Sequence, residues 1–255
     1  MKKLFYLVIL ISSQIDAQFY EIYFETQVQT HYTDKGLKWF EEWEEDVNER
    51  EKTIEMNKNP PKQDFKFIYN SQFSKMEHQR KITNHQNSDE VTIFKIPMNV
   101  GFVTINDYEK KVYGFEVDVY GKKYLVKDDL KEIEFTDTGK TKELVGFEVF
   151  EAIGKFNEAD VIVWYTKDIP YQYSPEIYKT TKGFILETHY KFKNEESEII
   201  NSWIAKDIKL LKSEPKIAFL RKGIEVKAVD VDAIYDEANR KRNEMYNQES
   251  TIDKK

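Results

Sequence analysis

The feature that most constrains this chain is a period of two. Over long stretches apolar and polar side chains alternate, and Gly, Asn, Asp and Pro break the alternation at short intervals. Residues 19–29 show it best: Ile22, Phe24 and Val28 alternate with Glu21, Tyr23, Glu25 and Gln27. Successive side chains of a strand point to opposite faces, so this is a strand with one dry and one wet side. Comparable runs occupy 65–70 and 72–82 around Asn70-Ser71, 91–96 before Pro97, 102–105, and 112–120 with 123–126 around Gly121. Others are 133–135 before Asp137-Thr138-Gly139, then 147–153, 159–165, 183–192, 199–204 and, more weakly, 216–220. Sequential strands joined by short turns predict an antiparallel sheet. The expected class is mainly β (α+β), with a curved sheet forming an open barrel or sandwich.

Two segments leave that period. Leu37, Phe40, Trp43 and Val47 recur at helical spacing. They predict one helix ending before Asn57, its opposite side crowded with acids between 41 and 51 and read as solvated. Val231, Ile234, Tyr235, Ala238, Met245 and Tyr246 predict a C-terminal helix, fraying from residue 248. No repeat or linker divides the chain. Residues 18–228 read as one β-rich domain and 229–255 as a helix and tail.

The first seventeen residues are different in kind. A basic start, Met1-Lys2-Lys3, precedes an apolar block over 4–11 and then Ser12 to Ala17. This is the layout of a secretory signal peptide cut between Ala17 and Gln18. The block is far shorter than the ~20 residues that span a bilayer, and every later apolar stretch is interrupted by charge. The expectation is an exported protein of the periplasm or outer-membrane periphery, or beyond, with no transmembrane segment after cleavage.

Composition narrows the activities. There is no cysteine, which excludes disulfides, thiolate metal sites, cysteine nucleophiles and a lipoprotein anchor. The net charge is −7, so phosphate backbones are repelled and nucleic acid is not an expected partner. The densest basic cluster, Arg240-Lys241-Arg242, sits beside Asp236, Glu237 and Glu244 and reads as a solvated helix face.

Residues 123–209 carry a further pattern. It runs from Tyr124 to Leu130, through Val145-Gly146-Phe147, to Val163-Trp164-Tyr165-Thr166-Lys167-Asp168-Ile169-Pro170, then Pro175 and Gly183-Phe184-Ile185-Leu186-Glu187. In order and spacing it resembles the GLPGLI family, exported proteins of Bacteroidetes known by sequence and not by reaction. The signature positions are Trp164, Tyr165, Thr166, Asp168, Ile169, Pro170 and Gly183. The resemblance implies a β-rich fold and export; it brings no activity. Where the family has a Gly-Gly-Leu-Pro turn, this chain has Lys179-Thr180-Thr181-Lys182 before Gly183. A glycine pair permits positive φ or close backbone approach and Thr-Thr does not, so a role of that turn in relatives is lost or altered here. Val149 stands where the family often has a cysteine.

Candidate sites are few. Of His31, His78, His85 and His189, no two have HxH or HxxxH spacing. Glu187 and His189 share a strand face and could ligate zinc, but a third ligand is missing, so no metal is assigned. Asp160 and Asp168 could form an acid–base pair, although acids at strand ends are usually turn formers. No nucleophile-elbow, zincin, Walker or dinucleotide motif occurs, and no cofactor is implied. The densest aromatic cluster is Trp164, Tyr165, Tyr171, Tyr173 and Tyr178. It reads either as a binding lip for a peptide, glycan or lipid or as a loop folded over the sheet and pinned by Pro170 and Pro175. The expected function is a non-enzymatic envelope module that binds an apolar or extended ligand or a partner protein, or a structural part of the surface machinery. The alternative is an exported hydrolase or protease with an unfamiliar site, which requires Glu187, His189, Asp160 or Asp168 to converge.

Overall fold

A computed structural model describes residues 18–43, 45–79, 103–179 and 182–252. The signal-like segment 1–17, the polar turn 84–89, the expected strand 91–96 and Thr180-Thr181 lie outside the described residues.

The alternating segments form a curved open sheet of 12 strands. In chain order the elements are β1 (Tyr20–Tyr32), α1 (Asp34–Trp43), α2 (Val47–Lys58), β2 (Gln63–Tyr69), β3 (Phe73–Gln79), β4 (Val103–Asp107), β5 (Val112–Val119) and β6 (Lys122–Asp129). Then come β7 (Lys131–Glu132), β8 (Phe135–Leu144), β9 (Phe147–Phe156), β10 (Ala159–Thr166), β11 (Tyr178–Lys179), β12 (Phe184–Lys193), β13 (Ser197–Leu210), β14 (Ile224–Val226) and α3 (Val231–Ile252). Across the sheet the order is β14-β6-β5-β4-β3-β2-β1-β13-β12-β10-β9-β8. Neighbours are antiparallel except the short β14, which lies parallel to β6. β7 and β11 form a separate parallel pair. β1 is central and pairs along its whole length with β13, with a bulge at Tyr23/Phe24. The outer edge, β8, carries Thr, Lys, Asp and Glu over 136–143, which discourages pairing with another chain.

Four expectations need correction. The N-terminal helix is two helices, because the Asp46 carboxylate accepts the Asn48 and Glu49 amides at 2.8 and 3.2 Å and starts α2 afresh. Asp137-Thr138-Gly139 is no turn: β8 continues through it as an irregularity, with Gly139 at φ 82°. The chain reverses instead at Val145-Gly146, where φ is 46° and 85°, both positive as a type I′ hairpin turn demands. Finally, 216–220 is not a strand; the edge strand is β14, and α3 continues past residue 248 to Ile252.

Alternation puts Ile22, Phe24, Phe65, Phe67, Tyr69 and Trp203 into one core. The link between β10 and β11 crosses the same core and adds Ile169, Tyr173 and Ile177 to it. The Tyr173 ring stacks on Tyr108 at 3.7 Å. Its hydroxyl donates to the Asn70 and Ser71 carbonyls at 3.2 and 3.0 Å. A second cluster contains Ile133, Phe135, Ala152, Val161, Val163, Tyr165, Tyr178 and Ile185.

α1 is fastened to the β12–β13 turn. The Thr33 amide donates to the Glu196 carbonyl at 2.9 Å, and the Thr33 hydroxyl to the Glu195 carbonyl at 2.6 Å. Gly36 lies so close that a Cβ there would stand 2.1 Å from the Glu196 carbonyl oxygen. Glycine to alanine in a helix ordinarily gains up to ~1 kcal/mol. Here the added methyl meets backbone, so Gly36→Ala is expected to destabilise the protein by ~1–3 kcal/mol in urea denaturation. A gain in stability would contradict this seating.

Candidate functional site

The five aromatics singled out in the sequence do not assemble into one lip. Tyr165, Tyr173 and Tyr178 are buried, at 1%, 5% and 5% exposure, and are divided between the two cores. Tyr165 donates to the Asp137 carboxylate at 2.9 Å. Tyr171 is half-buried against Phe19 and Tyr69. Trp164 stays on the sheet, with the Lys142 ammonium 4.1 Å from its ring centroid.

The signature residues around them build a turn. Thr166 is fully buried and its hydroxyl accepts the Asp168 amide at 3.2 Å. Ile169 enters the core. Gly183 is there for close approach, since a Cβ would lie 2.4 Å from the Thr166 carbonyl oxygen. These positions therefore serve packing of the link onto the sheet.

Within that link lies a group that sequence reasoning missed. Glu176 is buried, and its carboxylate accepts from the Thr188 hydroxyl at 2.9 Å and from the Asn201 amide at 3.1 Å. Its backbone carbonyl accepts from the Asn106 amide at 3.1 Å, and its amide donates to the Ser174 hydroxyl at 3.1 Å. One residue so ties the link to β4, β12 and β13. Burial pushes its pKa above the ordinary carboxyl range, against hydrogen-bonding pulls from Tyr178, Thr188 and Trp203 and the charge of His189. The Tyr178 hydroxyl and the Trp203 indole N–H face this carboxyl, yet neither meets it in good hydrogen-bond geometry. Burial and the adjoining Glu176 hold the Tyr178 phenol well above its usual value. A carboxyl kept neutral can donate a hydrogen bond or a proton. The only sequence signal was a lone acid between Pro175 and Ile177 in an aromatic loop.

Glu187 and His189 do share a face: His189 Nε2 lies 2.8 Å from a Glu187 carboxylate oxygen. Lys142 Nζ donates to both oxygens of Glu187, at 2.8 and 2.7 Å. Burial would raise the Glu187 pKa, but the His189 and Lys142 hydrogen bonds outweigh it and leave it below the ordinary range. Among the described residues no three metal-ligating side chains come together. Asp160 and Asp168 do not join this pair. Asp160 is near the start of β10 beside Lys155, and Asp168 follows its end. Along the strand at ~3.3 Å per residue Asp160 and Thr166 are already roughly 20 Å apart, and Asp168 lies beyond that end.

The largest apolar groups left in water are elsewhere. Trp39 and Trp43, one turn apart on α1, are 49% and 75% exposed. Their rings stack at 5.6 Å. The helical stripe expected in the sequence is thus only half used: Phe40 packs edge-on against Tyr32 at 4.8 Å, while Trp43 and Val47 face solvent. A groove of about 290 Å³ adjoins Trp39, lined also by Tyr32, Gly36 and Glu196.

No family model matches the chain, and no curated protein matches it. Two solved structures of PNGF-II are similar over 87% of it, at TM-scores of 0.50 in a C2 crystal form and 0.52 in a P21 form, each 18% identical. This chain spans about a third of the length of those proteins, 32% and 34%. The likeness is one of fold.

The Glu176 pKa is raised on folding, so its favourable contribution is complete below the ordinary glutamate value and is lost as pH rises through the folded value. Glu176→Gln keeps the shape without the ionisation. The stability of the natural protein relative to this variant is therefore expected to fall as pH rises above the ordinary glutamate range, measured by denaturation at several pH values. A gap independent of pH would contradict the burial assigned to Glu176.

Proposed function

We propose that the protein is an exported, non-enzymatic binding or assembly module of the cell envelope, and a member of the GLPGLI family with a degenerate motif. Its partner is an apolar or extended ligand or another protein. The observation that carries this reading is the stacked, solvent-facing Trp39–Trp43 pair, in a chain whose own loop fills the apolar side of its sheet. Tryptophan left in water is costly and is enriched at binding hot spots. Export rests on the layout of residues 1–17, and family membership on the signature around Trp164 and Gly183.

One observation favours the hydrolase alternative: the buried Glu176 carboxyl with raised pKa among Tyr178, Thr188, Asn201 and Trp203. Perturbed acids gather at active sites, and also in structural networks. The direct bonds that Glu176 makes to Thr188 and Asn201 anchor the loop, which favours the structural role.

A thermal-shift screen against peptides, glycans and lipids separates the two. A ligand at about 100 times its Kd adds ~2.7 kcal/mol, or several degrees for a domain of this size. The expected result is such a shift with one class, retained in Glu176→Gln. Silence across all three classes contradicts the binding reading, and hydrolysis of a substrate that Glu176→Gln abolishes replaces it.

A further inference from the structure

We propose that the open face of α1, centred on Trp39 and Trp43, is the docking surface for a lysine- or arginine-bearing segment of a partner protein. This rests on the binding-module reading and gives that partner a chemistry.

Trp39 also packs edge-on against Phe40 at 5.1 Å, whereas Trp43 contributes little to seating the helix at 75% exposure. α1 is held by Thr33, by the close approach of Gly36 to the Glu196 carbonyl and by Phe40 on Tyr32. Trp43 has no ring contact besides Trp39 among the described residues. Val47 extends the apolar surface at 51% exposure, and α2 buries none of its residues. Among the described residues nothing covers this face.

Charge selects the occupant. Residues 34–52 hold eight acids against four bases. Glu41, Glu42 and Glu45 are exposed, and among the described residues no cation pairs with them. Of the two bases on the helix, Lys35 is engaged by Glu195 and Glu196, which leaves Lys38 alone against the acids. Glu42 follows Trp39 by three positions and therefore adjoins it on the helix surface. A flat pair of indoles beside uncompensated carboxylates suits a cationic side chain. The ring faces attract it through their quadrupoles, the carboxylates through Coulomb forces, and the apolar stem of lysine or arginine lies on the indole. The same carboxylates repel an anionic lipid surface.

A second copy of this chain is a poorer occupant. Its one dense basic cluster is occupied: Arg240 is held by Glu237 and Glu244, Lys241 by Glu237, and Arg242 lies over the Tyr120 ring at 4.7 Å.

The test titrates the full chain with a short synthetic peptide alternating arginine and leucine, following tryptophan fluorescence and heat. Parallel arms use the glutamate-for-arginine peptide, neutral oligosaccharides, and vesicles of zwitterionic or anionic lipid. The arginine peptide is expected to bind and to weaken with added salt. Its affinity should fall about tenfold or more in Trp43→Ala, and again in the double variant Glu42→Gln/Glu45→Gln, with unchanged far-UV circular dichroism. Equal binding of the acidic peptide, undiminished binding by both variants, or binding of sugars or vesicles in place of the peptide overturns the proposal. If a ligand found in the thermal-shift screen binds Trp43→Ala as well as the natural protein, the docking surface falls and the binding-module reading stands. If neither screen nor titration finds a ligand, both fall.

Discussion

The structure depends on one link crossing its own sheet. A sheet of this size has an apolar face too large to leave in water; Leu211, Ala228 and Val231 reach part of the core from the C-terminal segments, and the β7–β11 pair lies beside the sheet. The chain between β10 and β12 supplies the buried cover. Ile169, Tyr173 and Ile177 supply the apolar contact, and the Tyr173–Tyr108 stack at 3.7 Å sets the height of the crossing. Glu176 fixes its direction through Thr188, Asn201 and Asn106. A buried carboxyl is expensive unless bonded, so this network also penalises any other path for the link. The Tyr108 and Tyr173 phenols, both raised by burial, belong to the same dry layer.

That closure decides where contact with other molecules can occur. With the apolar face filled, ligands are left with the polar face, the edges and the helices. The polar face is tied up in ion pairs: Lys142 with Glu187, Lys140 with Glu151, and both Lys62 and Lys206 with Glu25. Half-buried pairs of this kind keep a surface satisfied and give little reason for a ligand to displace them. α1 is the exception, since its largest side chains are exposed and, among the described residues, its acids are unpaired.

Strand existence was legible because a strand with one wet face writes its period into the sequence, as β1 and β2 do with Phe24, Phe65 and Phe67. The hairpin at Tyr120-Gly121 was legible from its glycine, and both residues indeed have positive φ, 50° and 84°. Val145-Gly146 makes the same turn, but a β-branched residue at φ 46° contradicts local preference and hid it. Asp137-Thr138-Gly139 misled for the opposite reason: turn chemistry can serve a bulge inside a strand. Glu187 and His189 were paired by a two-residue offset alone. Glu176 was invisible because its partners Thr188 and Asn201 are brought to it by long-range pairing. Trp43 looked like core because helical spacing shows which residues share a face and not whether anything covers it.

Backbone hydrogen exchange across the link tests the central claim most directly. The Tyr173 carbonyl accepts the Ile185 amide at 2.9 Å, and the Ile177 carbonyl accepts the Lys131 amide at 3.0 Å. If the link is part of the core, the Ile185 and Lys131 amides exchange as slowly as those of central β1 and β13, by global opening. Exchange at these two amides orders of magnitude faster than in β1 would contradict this, and would make the link a lid that opens while the sheet stays folded.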